Sequence, residues 1–194
     1  MGKTIDFYYD FISPASYFAF MRLGELCERT GARINYCPML LGGVLKAVGT
    51  APPVTVPAKW AWYRQDFQRC ADYYGIPYQL NPHFPFNTVN AMRGCFWALE
   101  AGCIEQYNRA MYRAAWTEGR DLGSPEVLAE VLTDAGLNAE DVLAAVTEQG
   151  IKEMLFAATD AAVERGVFGA PTFFVGDEIF FGQDRMDFVA RALA

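Results

Sequence analysis

The residues of this chain best suited to chemistry stand close together in Asp10-Phe11-Ile12-Ser13-Pro14-Ala15-Ser16-Tyr17. Ser13 and Ser16 keep the spacing of a redox Cys-x-x-Cys pair, with hydroxyls where the sulfurs would stand. A hydroxyl cannot exchange disulfides. At the N-terminus of a helix it can instead donate a hydrogen bond to an incoming thiolate, while the positive end of the helix dipole favours the ionised sulfur. The five cysteines (Cys27, Cys37, Cys70, Cys95, Cys103) offer no substitute, because no two have Cys-x-x-Cys spacing, and they read as buried or free thiols. Such a site would bind and activate the sulfur of another molecule. The plainer role of Ser13, directly before Pro14, is a helix N-cap.

Further along, Gly166-Val167-Phe168-Gly169-Ala170-Pro171-Thr172 opens a strand with a proline. This is either strand-start punctuation or, with a cis Ala170-Pro171 bond, a turn that leaves the Ala170 N–H and C=O off the ladder and facing the first helix. An extended peptide-like ligand could pair there. Lys59, Trp60 and Tyr63 share one face of an expected helix, a pattern that serves either core packing or a ligand wall. Asn87 suits a helix N-cap. His83 is the single histidine and no Gly-x-Ser-x-Gly occurs, which disfavours a Ser-His-Asp hydrolase. A metal site would have to be built almost wholly from carboxylates, so no metal is expected.

The elements that must position these groups follow from the patterning. Thr4 to Asp10 reads as a strand, Ser13 to Gly31 as a helix, and Ala32 to Cys37 as a second strand ended by Pro38, with the two strands parallel. A loop with Gly42-Gly43 and Pro52-Pro53 follows. From Pro57 to about Leu155 no convincing strand occurs, and four to six helices are expected, with Ser124-Pro125 and Asn138 as N-caps. Ala158 to Gly166 is helical, Pro171 to Val175 and Glu178 to Phe181 form a hairpin about Gly176-Asp177, and Asp184 caps a last helix. Removing the helical block leaves β-α-β and α-β-β-α, the element order of a thioredoxin fold. The fold class expected is therefore α/β and thioredoxin-like, with residues 1–56 and 151–194 as one domain and 57–150 as an inserted α-helical subdomain.

Composition narrows the possible partners. The chain has 194 residues, 53% of them hydrophobic and 20% charged, enough for a packed core. A formal net charge of −7 argues against a phosphate-binding surface for nucleic acid. The opening residues lack a basic and apolar secretory pattern, and no apolar run approaches the ~18 residues of a membrane span. The cytoplasm is the compartment expected.

Three segments together, Asp-Phe-Ile-Ser-Pro-Ala-Ser-Tyr from Asp10, Gly-Val-Phe-Gly-Ala-Pro-Thr-Phe from Gly166 and Phe-Gly-Gln-Asp-Arg-Met from Phe181, resemble the 2-hydroxychromene-2-carboxylate isomerases. That family stands with the kappa-class glutathione transferases and the disulfide oxidoreductases that carry a helical insertion, and the resemblance spans essentially the whole chain. It implies glutathione as cofactor, with Ser13 as the catalytic serine holding the sulfur. Ala170 and Pro171 match the segment that pairs with the tripeptide backbone, and Gln183 and Asp184 match the pair that grips the γ-glutamyl end. Lys46 matches a lysine near the substrate. An Asn commonly precedes the Pro-Pro pair in that family, whereas here Thr50 stands in Gly49-Thr50-Ala51-Pro52-Pro53, so one amide contact is missing or replaced. Asn87 and Arg93 fall in a segment like the one that enters the family's substrate cleft, and Trp60 and Tyr63 are taken as further substrate contacts.

The activity implied is a glutathione-dependent interconversion of 2-hydroxychromene-2-carboxylate and trans-o-hydroxybenzylidenepyruvate, by transient thiolate addition to a conjugated enone. The alternatives are a kappa-type transferase that releases a conjugate, and a binding module that holds a thiol peptide without turnover. A dithiol oxidoreductase is disfavoured by Ser13 and Ser16. The partners expected are glutathione and a small aromatic keto acid, with a homodimer admitted and neither nucleic acid nor membrane.

Overall fold

A computed structural model describes residues 3–194. Strand β1 (Thr4–Tyr9) passes through a four-residue loop into helix α1 (Pro14–Thr30) and strand β2 (Arg33–Pro38). The helices α2 (Leu41–Ala47), α3 (Pro57–Tyr74), α4 (Val89–Glu100), α5 (Ile104–Trp116), α6 (Pro125–Asp134), α7 (Ala139–Ala145) and α8 (Gln149–Glu164) come next. Strands β3 (Thr172–Val175) and β4 (Glu178–Phe181) and helix α9 (Met186–Ala192) complete the order. The sheet runs β2-β1-β3-β4, with β1 parallel to β2 and antiparallel to β3, and β3 paired with β4 as a hairpin.

Alternation in β1 sets the two faces of the sheet. Ile5, Phe7 and Tyr9 are fully buried towards α1 and the helical block, where Phe7 stacks on Tyr9 at 4.9 Å and on Phe173 of β3 at 5.4 Å. Tyr8 and Phe174 face the other side, against Met39, Val44, Ala162 and Val167 from the α2 and α8 layer. Helix α1 begins at Pro14 because the Ser13 hydroxyl accepts the Ser16 N–H, and it ends where Gly31 turns left-handed at φ 70°. Ser124 and Asn138 cap α6 and α7 as their residue types suggest. Helix α8 packs on α4 and also on α2 and β2, which ties the helical block to the sheet.

Three local expectations differ from what is observed. The Gly42-Gly43 stretch, expected as a loop, is helix α2. Two glycines cost roughly 1 kcal/mol each in helix propensity, but the tertiary setting overrides this: Leu41 N–H bonds the Asp10 carboxylate, and Val44 is fully buried. Gly43 also lets α2 approach α8, since a Cβ there would meet Thr159 Cγ2 at 3.0 Å. Helix α8 begins at Gln149 rather than near Ala158. Asp184 does not cap the last helix, because α9 opens at Met186 after a 3-10 turn over Gln183–Arg185 and has no side-chain cap. Gly182, at φ 104° with its N–H on Pro171 O, starts that turn early and leaves the Asp184 carboxylate to pair with Arg185 at 2.7 Å.

Between β1 and α1 the chain is held at nearly every step. Asp10 is 2% exposed, and its carboxylate accepts from Ile12 N at 3.1 Å, Leu41 N at 2.9 Å and Thr88 Oγ1 at 2.7 Å. Ser13 N bonds Asp10 O, and the Trp116 indole N–H bonds Phe11 O at 2.8 Å. Burial pushes the Asp10 carboxyl above its ordinary value, against the pull of its hydrogen bonds. Replacing Asp10 with Asn would set an amide NH2 against the Leu41 or Ile12 N–H. Asp10→Asn should therefore destabilise the fold by about 1–3 kcal/mol, while Thr88→Val, which deletes one partner, should cost about 0.5–1.5 kcal/mol. Urea denaturation checks this, and coincident midpoints for wild type and Asp10→Asn would contradict it.

Candidate functional site

Two elements far apart in sequence meet at Ser13. Its hydroxyl is 5% exposed, accepts the Ser16 N–H at 3.1 Å and donates to the Ala170 carbonyl at 3.1 Å. The Ala170-Pro171 peptide bond is cis. As expected, the Ala170 carbonyl lies off the ladder and faces the first helix, where it accepts the Ser13 hydroxyl. The Ala170 N–H, by contrast, has no acceptor among the described residues. Ser16 is fully buried and its hydroxyl has no hydrogen-bond partner among the described residues, so of the two serines only Ser13 bonds the Ala170 segment.

The same segment leads to Gln183 and Asp184, since the bond from Gly182 N to Pro171 O (3.0 Å) sets the turn that carries both. Arg22, from the middle of α1, donates through Nη1 to Gln183 O at 2.8 Å and to Gln183 Oε1 at 3.2 Å. Gln183 Nε2 bonds Cys70 Sγ at 3.3 Å. The Arg22 guanidinium carbon stands 3.8 Å from the centre of the Tyr74 ring. Sequence reasoning missed Arg22, Cys70 and Tyr74. Nothing in their local patterns signals the contact, because Arg22 and Gln183 are 161 residues apart.

A second group of residues gathers through Asp10. Its bond to Leu41 fixes the start of α2, at whose other end Lys46 stands exposed and free of ion pairs among the described residues. Thr50 closes that helix with a backbone bond to Leu45 O at 3.0 Å. The Asp10 bond to Thr88 fixes the start of α4; just before it, Asn87 Oδ1 accepts the Val89 N–H at 2.9 Å, so Asn87 shapes the entry while Thr88 takes the cap position. Arg93, within α4, bonds Asn90 Oδ1 at 3.2 Å and leaves its buried Nε without an acceptor. The helix face proposed for Lys59, Trp60 and Tyr63 divides. Trp60 stacks on Phe84 at 5.1 Å and Tyr63 packs on Phe67 at 5.5 Å, both half-buried against the core, while Lys59 and Tyr63 also line a shallow surface groove with Trp62, which sequence reasoning passed over.

All five cysteines are free. Burial raises every one of their thiols above the ordinary value, Cys37 to about 12. Among the described residues no cluster of three or more His, Cys, Asp or Glu side chains could hold a metal, and no helix is long and apolar enough to cross a membrane.

Residues 4–194 match the DSBA-like thioredoxin domain family. The chain is 35% identical to a 2-hydroxychromene-2-carboxylate isomerase of Sphingobium xenophagum, over 100% of this chain and 99% of the relative. It is 31% identical to glutathione S-transferase kappa 1 of Caenorhabditis elegans, over 97% of this chain and 90% of the relative. A solved structure of a 2-hydroxychromene-2-carboxylate isomerase superposes with a TM-score of 0.90 at 30% identity, covering 98% of this chain and 94% of that one.

With each thiol raised by burial, alkylation of the folded protein at pH 7.5 should be slower at every cysteine than at free cysteine. Timed iodoacetamide labelling read by mass spectrometry tests this. One cysteine modified faster than the free amino acid would reveal a reactive protein thiolate.

Proposed function

The chain belongs to the DSBA-like thioredoxin domain family, among the 2-hydroxychromene-2-carboxylate isomerases, and on that premise we propose that it interconverts a hydroxychromene carboxylate and its open benzylidenepyruvate with glutathione as cofactor. It is an enzyme of the isomerase type. The observation that carries the glutathione reading is Ser13: a hydroxyl at the N-terminus of α1, in the place of a redox cysteine, directed at the backbone of Ala170. The neighbouring Ala170 N–H, free of any acceptor among the described residues, fits the carbonyl of an extended peptide lying beside that hydroxyl.

The chemistry glutathione supplies when bound is reversible thiolate addition to a conjugated enone, which turns a double bond into a rotatable single bond. The residues of the chain do the rest. Ser13 can turn its hydrogen from the neutral Ala170 carbonyl, a bond worth about 0.5–1.5 kcal/mol, to an anionic sulfur, worth about 1.5–3 kcal/mol, so the exchange favours the ionised form. The positive end of α1 acts in the same direction. Gln183 and Asp184 hold the γ-glutamyl end. Lys46, unpaired on α2, anchors the substrate carboxylate and balances the charge that builds on the carbonyl oxygen. Arg93 and Asn87 on the α4 side, with Tyr63 and Thr50, complete the surroundings of the aromatic acid.

Turnover should require added glutathione and vanish after dialysis into thiol-free buffer. Ser13→Ala should lower kcat by ~10- to 150-fold, the equivalent of about 1.5–3 kcal/mol, and remove an N-cap worth about 0.5–2 kcal/mol of stability. Ser16→Ala should lower kcat less. Equal losses of kcat in the two serine variants, or undiminished turnover without glutathione, would refute the assignment. A conjugate accumulating in place of isomerised product would favour the second reading, a kappa-type transferase, which the 31% identity to the nematode enzyme supports.

A further inference from the structure

A cavity of about 310 Å³ lies between the second half of α1, the β2 edge of the sheet and the start of α5, and none of the residues assigned to glutathione or substrate lines it. That volume stands at the small end of the range for ligand pockets, roughly 300–1,000 Å³, and suits a molecule of one or two rings. Phe20 and Tyr36 form an aromatic wall, with ring centres 6.4 Å apart. Gly24, inside α1, lines the cavity beside them. Glycine is the least favourable residue for a helix interior apart from proline, and no neighbour requires it here, because a Cβ would meet nothing within 4 Å. Its bare backbone keeps the cavity open.

Two guanidinium groups and one carboxylate border this space. Arg109 Nη2 bonds Glu105 Oε1 at 3.0 Å, and the Arg109 guanidinium carbon stands 6.0 Å from the centre of the Phe20 ring. Arg33, at the start of β2, makes no ion pair among the described residues. Burial raises the Cys27 thiol and the Tyr36 phenol above their ordinary values, so both are neutral near pH 7. The border therefore carries one unbalanced positive charge, in a chain whose formal net charge is −7. We propose that this cleft binds a small aromatic carboxylate, its ring against Phe20 and Tyr36 beside Gly24 and its carboxylate on Arg33 and Arg109. A planar guanidinium offers parallel donors that match a carboxylate, and the ring displaces water from an apolar wall. Such a site is separate from the one at Ser13, which stands at the N-terminal end of α1.

Cys27 lines the same cavity and reports its occupancy with no dependence on turnover. In the wild-type protein 2-naphthoate should slow the labelling of Cys27 by methyl methanethiosulfonate, read by mass spectrometry, and leave Cys37 and Cys103 unchanged. The uncharged 2-naphthamide should protect far less at equal concentration. Gly24→Leu fills the cavity with a better helix former, so it should melt at the wild-type temperature or above it, yet bind 2-naphthoate at least tenfold more weakly by calorimetry, equivalent to about 1.4 kcal/mol. The double variant Arg33→Gln with Arg109→Gln should lose roughly three- to thirtyfold in affinity, the range of two exposed ion pairs, and serves if the leucine variant does not fold. Unchanged labelling of Cys27 in millimolar 2-naphthoate, equal protection by the amide, or affinity undiminished in both variants would each overturn the site and leave the glutathione reading untouched.

Discussion

A carboxylate taken out of water at the end of β1 is the constraint on which the rest of this site depends. Asp10 is buried almost completely, and its two oxygens are satisfied by the loop it belongs to, by the first N–H of α2 and by the Thr88 hydroxyl at the head of α4. A buried carboxylate with fewer partners would carry a desolvation penalty of several kcal/mol. Three chain segments therefore have to arrive together for Asp10 to be tolerated. That requirement keeps Ser13, three residues on, in a fixed relation to the helices that bear Lys46 and Arg93.

The polar groups of the opposite side are arranged by a second chain of bonds that does not pass through Asp10. It runs from the Ser13 hydroxyl to Ala170, from Pro171 to Gly182, and from Gln183 back to Arg22 on α1. Helix α1 thus meets the strand hairpin twice, once at its N-terminus and once two turns further on. Such a closed loop of contacts explains why a short, glycine-started turn between β4 and α9 can hold its shape without a helix cap. Asp184, freed from capping, stands at the surface with its carboxylate on Arg185, and the last helix starts without a side-chain cap.

Disulfide exchange at the N-terminus of α1 is ruled out by chemistry rather than by shape. The fold is that of disulfide oxidoreductases, yet Ser13 and Ser16 cannot carry a disulfide, and the five thiols present are raised by burial away from the ionised form that exchange requires. A serine at the helix N-terminus keeps the electrostatic advantage of the scaffold while giving up its sulfur.

Much of this was legible in the residues alone. Alternation of apolar side chains identified the strands, and Ser-Pro and Asn marked helix starts, because each of these signals is local and acts through backbone geometry within a few residues. Helix α2 was not legible, since two glycines argue against it and only the distant Asp10 carboxylate and the packing of Val44 against α8 support it. Nor was Phe84 as the partner of Trp60, since the helical period shows that a face is aromatic but not what covers it. Asp184 read as a cap by type and position, and lost that role to a turn set by Gly182 and Pro171. Arg22 gave no sign at all. Its partner lies 161 residues away, and a contact of that separation is decided by how the sheet brings α1 and the last turn together, which no local pattern encodes.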